Sequence, residues 1–139
     1  MNLTDFQSLY DLSGRTAIVT GGTRGIGYAI AEALGACGAS VVVSSRKPDA
    51  CAAAAKELHD KGYRALGVPA HMGELDDIDA LVTATVDEYG GVDIVVNAAA
   101  NPVAQPMGSY TPEALGKSFD VNVRGPVFLV QAALPHLTA

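Results

Sequence analysis

The chain has no tryptophan, three phenylalanines and five tyrosines among its 139 residues. Its core must therefore be filled by aliphatic side chains and alanines set close together, not by large rings. Cysteine is equally scarce. Cys37 and Cys51 are the only two, too few for a disulfide framework. Both stand at apolar positions of expected helices, so reduced, buried thiols are expected, with a disulfide or metal site as the alternative. His59, His71 and His136 are scattered, and no His/Cys/Asp grouping has metal-ligand spacing. Basic residues are few: nine Lys and Arg against fifteen Asp and Glu give a net charge of −6. That balance argues against nucleic acid as the main partner and still leaves room for a local basic pocket. No apolar run is long enough to span a membrane, and the N-terminus carries Asp5 and Asp11 without a continuous apolar stretch, so no membrane association and no signal peptide are expected. Together with reduced thiols, this points to a cytoplasmic protein.

Small and apolar residues are abundant. Fifteen glycines and an apolar fraction of 49% suit one domain of helices packed tightly on a sheet. Residues 1–14 read as a lead-in ending at Gly14. Arg15–Thr20, Ala39–Ser44, Arg64–Pro69 and Val92–Asn97 predict four strands. Helical patterns run between them. Ile26, Ala29, Ile30, Ala33 and Leu34 form the first, ended by Gly35 or Gly38. Cys51, Ala54, Ala55 and Leu58 follow a first-turn Pro48, and Gly62 closes that helix. Ile78, Leu81, Val82, Val86 and Tyr89 line one face of Asp76–Tyr89, stopped by Gly90-Gly91. After a loop with Pro102 and Pro106, Thr111-Pro112 opens a last helix carrying Leu115, Phe119, Val123, Val127, Val130 and Leu134. Gly125-Pro126 should bend or break it, because proline removes a backbone donor and crowds the preceding turn. Strict alternation of strand and helix implies a parallel sheet covered on both faces.

The most informative segment is Thr20-Gly21-Gly22-Thr23-Arg24-Gly25-Ile26-Gly27, which leads from the first strand into the first helix. A strand that turns through glycines into a helix N-terminus is a phosphate-binding device, because unpaired N–H groups and the positive end of the helix dipole face the anion. Gly21 allows a sharp exit from the strand, Gly25 lets a pyrophosphate approach the backbone, and Gly27 lets the helix pack closely on the sheet. The end of the second strand decides between nucleotides. An Asp or Glu there would bind the ribose 2′-OH of NAD. This chain has Ser44-Ser45-Arg46-Lys47, with Asp49 too far along. Arg46 can fork onto a 2′-phosphate, Ser45 can donate to it, and Arg24 can add a second positive charge. The expected cofactor is NADP, with NAD as the alternative.

The Gly-x-x-x-Gly-x-Gly spacing differs from the common Gly-x-Gly-x-x-Gly fingerprint and resembles the short-chain dehydrogenase/reductase family. Two further segments carry the resemblance. Asn97-Ala98-Ala99-Ala100, at the end of the fourth strand, is similar to the family's Asn-Asn-Ala-Gly, with Ala98 in place of the second Asn and Ala100 in place of the Gly. Asn122-Val123-Arg124-Gly125, with Gln131 beyond, is similar to the Asn-Val-x-Gly of the family's long helix. The resemblance implies a doubly wound parallel Rossmann sheet of strand order 3-2-1-4, cut off after the long helix that follows strand 4. Residues 1–139 would then be the N-terminal part of one nucleotide-binding domain. It implies cofactor contacts from Gly21, Thr23, Arg24, Gly25, Ile26, Gly27, Ser45, Arg46, Met72, Asn97, Ala98 and Ala99, and from His71, which stands where the family often has an Asp near the adenine, with a satisfied surface or core histidine as the other reading of His71.

It also implies hydride exchange between a nicotinamide and a carbonyl or secondary alcohol, with 3-oxoacyl carrier-protein reductases as one subgroup, and homo-oligomers built partly on the long helix. Asn122 matches the Asn of the family's Asn-Ser-Tyr-Lys tetrad, placed at a helix irregularity where it holds water in a proton relay. The Ser, Tyr and Lys have no counterpart here. Four residues past Tyr10, Tyr28, Tyr63, Tyr89 and Tyr110 stand Gly14, Glu32, Gly67, Asp93 and Ala114. The chain is thus expected to be a fragment of a longer enzyme. Alternatives are one segment of a two-piece enzyme and a nucleotide-binding module without catalysis.

Overall fold

A computed structural model describes residues 1–138; Ala139, the last residue of the expected domain, lies outside the described residues. Four parallel strands form one sheet in the order β3-β2-β1-β4, as the resemblance implied. β1 (Thr16–Thr20) and β2 (Ser40–Ser44) are central and buried along their whole length. They are runs of Ala, Ile and Val with threonine or serine at the ends, the pattern of strands covered on both faces. β3 (Ala65–Gly67) and β4 (Ile94–Asn97) are shorter than expected. The chain nevertheless keeps its course beside β2. The Val41 N–H donates to the Arg64 carbonyl at 2.9 Å, Val68 N–H to Val43 at 3.0 Å and Ala70 N–H to Ser45 at 2.9 Å. Pro69, between the last two donors, has no N–H to give.

Helices cover both faces of the sheet. On one side Val19, Val41 and Val43 meet Ala31 of α2 (Gly25–Ala36) and Ala54 and Leu58 of α3 (Pro48–Asp60). On the other, Ile18 and Val42 meet Ile78, Leu81 and Val82 of α4 (Leu75–Tyr89) and Leu129 and Ala133 of the last helix. The stripes expected for α3 and α4 are the buried ones.

Four expectations need correction. The lead-in holds a short helix, α1 (Leu3–Ser8), started by a capping box in which Asn2 Oδ1 accepts the Asp5 N–H at 2.8 Å and Asp5 Oδ2 accepts the Asn2 N–H at 3.2 Å. None of its residues is buried. In α2 the buried face is Gly27, Ala31 and Gly35, while Ile26, Ala29 and Ala33 point outward. An Ala-rich helix is apolar all round, and the small residues win the inner face because they let the helix axis come close to the sheet. Cys37 caps α2 and is half-buried, whereas Cys51 is buried as expected.

The long helix is the fourth correction. It runs as α5 (Pro112–Phe119), a π-helical stretch at Asp120–Arg124, and α6 (Gly125–Leu137). The irregularity thus precedes Gly125-Pro126 instead of coinciding with it. The Gly125 N–H reaches back five residues to the Asp120 carbonyl, and the wider turn makes room for the proline ring. Ser118, Gly125, Leu129 and Ala133 face inward. The six residues expected to form the apolar stripe are between 40% and 57% exposed. This helix is also apolar on two sides, and the stripe with the larger side chains looks away from the sheet.

The division between the two stripes predicts unequal costs. Leu58→Ala, at a fully buried position, should lose about 2–5 kcal/mol of stability. Val127→Ala, on the outward face, should stay within roughly 0.5 kcal/mol when measured on protein too dilute for copies to associate. Urea unfolding of the two variants checks the assignment.

Candidate functional site

All four strands end on the same side of the sheet, and their following loops enclose a cleft of about 640 Å³, a size ordinary for a small-molecule site. The turn after β1 forms one wall. Gly21 and Gly25 have φ of +62° and +57°, the left-handed region that glycine enters without strain. A Cβ on Gly27 would collide with the Gly21 carbonyl. The helix can therefore begin directly against the turn only if that Cβ is missing. Among the described residues no side chain caps α2, and its first turn holds no acidic residue, so its leading N–H groups and dipole face the cleft uncompensated.

The loop after β2 forms the rim. Ser45 is fixed from three directions. Its N–H donates to Cys51 Sγ at 3.3 Å, its carbonyl accepts from the Ala70 N–H at 2.9 Å, and its hydroxyl accepts from the Lys47 N–H at 3.4 Å. Arg24 and Arg46 line the cleft, and neither has an acidic partner among the described residues. The positive charge of this wall is thus available to an anion.

The loop after β4 closes the third side through two clamps. The Thr20 hydroxyl accepts from the Ala99 N–H at 3.3 Å. Asn122, in the π-helical stretch, holds both backbone groups of Asn101. Its Oδ1 accepts the Asn101 N–H at 2.8 Å, and its Nδ2 donates to the Asn101 carbonyl at 3.0 Å. Ser118 Oγ donates to the same carbonyl at 2.6 Å. The π turn also secures the loop after β3, because Arg124 donates to the Gly73 carbonyl at 3.2 Å.

The structure brings together most of the residues singled out in the sequence. Gly21, Thr23, Arg24, Gly25, Ile26, Gly27, Ser45, Arg46, Met72, Ala98 and Ala99 all line the cleft. His71 and Asn97 do not. His71 is used internally: its Nδ1 accepts the Gly73 N–H at 2.9 Å, and its own N–H donates to Asp77 Oδ2 at 2.9 Å. It shapes the turn that presents Met72. Asn97 ends β4 in register with Thr20 and is exposed outside the lining. Ser44, Ala70, Asn101 and Val121 line the cleft and were not singled out as ligand contacts. Period-two alternation from Val42 would have placed Ser44 on this side of β2. Nothing in the local sequence marks Asn101 or Val121, whose places depend on contacts about a helix length away.

Comparison with known proteins bears on this geometry. A family model described as short chain dehydrogenase matches residues 15–139. The chain is 45% identical over 127 residues to the short-chain dehydrogenase/reductase SDRA of Arabidopsis thaliana, covering 91% of this chain and 50% of that protein. Among solved structures, a dehydrogenase/reductase from Sinorhizobium meliloti 1021 superposes with a TM-score of 0.92 at 32% identity, over 97% of this chain and 54% of that one. L-sorbose reductase from Gluconobacter frateurii, complexed with NADPH and L-sorbose, superposes with a TM-score of 0.87 at 31% identity, over 92% of this chain and 49% of that one. The chain spans about half the length of the relatives it matches.

The Asn122 clamp has a direct consequence. Asn122→Ala frees the Asn101 N–H, and its hydrogen exchange should quicken on the order of tenfold, the effect of losing about one net hydrogen bond. Exchange in β1 and β2 should be unchanged. Amide-resolved hydrogen exchange checks both.

Proposed function

Because the chain belongs to the short-chain dehydrogenase family, we propose that it forms the nucleotide-binding part of an oxidoreductase whose cofactor is NADP. The observation that carries this reading is the pairing of two features on one cleft: the uncapped, glycine-cleared start of α2, and Ser45-Arg46 where an NAD site would have a carboxylate. The residues suit the cofactor. Gly25 has open space where a Cβ would stand, so a pyrophosphate can rest on the backbone. Arg46 and Arg24 supply the charge for a 2′-phosphate, and Ser45, held by Cys51, supplies a fixed donor. When bound, the nicotinamide supplies a hydride to a carbonyl carbon or takes one from a secondary alcohol carbon.

In this reading Thr23, Ile26, Met72, Ala98 and Ala99 touch the cofactor, and Asn122 is the one member of the Asn-Ser-Tyr-Lys tetrad that this sequence holds. What Asn122 does here is set the backbone of Asn101 at the cleft's edge. The proton donor belongs to the remainder of a full-length family member, so residues 1–139 are one part of a single Rossmann domain. Cytoplasmic residence and a homo-oligomeric state complete the reading. The outward stripe of the long helix is the surface for a second copy, since Phe119, Val123 and Val127 would otherwise remain in water.

Three outcomes test it. NADPH should bind more tightly than NADH, and Arg46→Glu should invert that order by reversing the local charge; paired calorimetric titrations read both. The 139-residue chain should reduce no ketone, because positioned acid–base catalysis typically supplies about 10²–10⁴-fold and its donor is missing. A spectrophotometric assay on mass-verified protein checks this, and turnover sensitive to Asn122→Ala would contradict it. Sedimentation equilibrium should show a mass that rises with concentration and falls back in Val127→Glu; a monomer at every concentration would contradict the proposed interface.

A further inference from the structure

Ser118 is the one buried residue of α5, at 8% exposed, while Leu115 and Phe119 of the same helix are more than half exposed. A helix that turns a serine inward and its large apolar side chains outward is not built for the core alone, because burying a hydroxyl costs stability unless it is hydrogen-bonded. The Ser118 hydroxyl is bonded twice. It donates to the Asn101 carbonyl at 2.6 Å and accepts from Asn122 Nδ2 at 3.0 Å, and Nδ2 donates to the same carbonyl at 3.0 Å. Hydroxyl, amide and carbonyl form a closed triangle. Asn122 Oδ1 takes the Asn101 N–H. A reversed Asn122 amide would set oxygen against carbonyl and N–H against N–H, so one orientation is left to it. Ser118 supplies the shortest bond of the group.

Asn101 itself is exposed at the cleft's edge, and Pro102 follows it. A proline disfavours helical backbone at the residue before it. The side chains of two residues and a proline are thus spent on fixing the backbone of one exposed loop residue. The sheet order tells what that wall faces. β1 lies between β2 and β4. A dinucleotide with its 2′-phosphate at Ser45–Arg46, after β2, and its pyrophosphate on the start of α2, after β1, continues over the loop after β4. Its nicotinamide nucleoside then lies beside Asn101. We propose that Ser118 is a positioning residue for that half of the cofactor, a role that rests on the nucleotide reading above. Ser118 does not touch the nucleotide. Its hydroxyl presets the Asn101 wall, and without it Asn101 has to be ordered as the cofactor binds, which lowers affinity.

The test is calorimetric titration of the 139-residue chain and its Ser118→Ala variant with NADPH and with 2′,5′-ADP, which lacks the nicotinamide nucleoside. The variant should bind NADPH roughly three- to tenfold more weakly, the effect of about one neutral hydrogen bond, and 2′,5′-ADP as the parent does. Ser118→Thr, which keeps the hydroxyl, should restore NADPH binding. Ser118→Cys, with nearly the volume of serine and a weaker donor, should lose affinity for NADPH alone, and it covers the case of poor folding by the alanine variant. An equal loss for both nucleotides overturns the proposal and leaves Ser118 a purely structural role. Unchanged NADPH affinity in the alanine and cysteine variants overturns it as well. A parent chain that binds 2′,5′-ADP as tightly as NADPH overturns it and leaves the cofactor reading standing. A parent chain that binds neither nucleotide overturns the cofactor reading and this proposal with it.

Discussion

The first turn of α2 lies against the end of β1 so closely that the Gly21 carbonyl occupies the space of a Gly27 side chain. Several features depend on this approach. The helix axis comes near enough to the sheet that Ala31 suffices to fill the gap on that face, while Gly35 leaves room for the Tyr63 side chain. The leading N–H groups of the helix are set beside the C-terminal ends of the strands, where the other loops converge. A side chain at Gly27 would push the helix outward, opening the α2 face of the core and moving the anion site away from Ser45 and Arg46.

The remaining walls are held by side chains gripping backbone. Cys51 fixes Ser45, Thr20 fixes Ala99, and Asn122 with Ser118 fixes Asn101. None of these is an ion pair between exposed charges, which would contribute little and weaken with salt. The result is a cleft whose polar groups are oriented before a ligand arrives, so less ordering has to be paid for on binding. The π turn at Asp120–Arg124 matters in the same way. It accommodates Pro126 and presents Asn122 to one loop and Arg124 to another.

Much of this was legible in the sequence because the information is local. The glycine turn, the Val-rich strands and the alternation of strand and helix give the layer architecture and the place of the cleft, and Ser45-Arg46 marks its charge. What was not legible falls into two kinds. Where a helix is apolar on more than one side, as α2 and the long helix are, periodicity does not say which face meets the sheet. Gly27, Ala31 and Gly35 took the inner side of α2 because they are small, and Leu129 and Ala133 took it in α6 over the larger stripe ending at Leu134. The second kind depends on distant contacts. The sequence around His71 does not reveal that its ring closes a turn onto Gly73, nor does that around Asn122 show its side chain spent on Asn101.

The central claim is that the loops at the strand ends, anchored on the start of α2, hold a dinucleotide phosphate. The most direct measurement is the amide NMR spectrum of the chain as NADPH is added. The largest shifts should fall on Gly25, Ile26 and Gly27, with a second group at Ser45–Lys47 and a third at Ala98–Asn101, while the outer faces of α3 and α4 stay still. Saturable binding that leaves the amides of Gly25–Gly27 unmoved, or no shift at any NADPH concentration, would contradict the account.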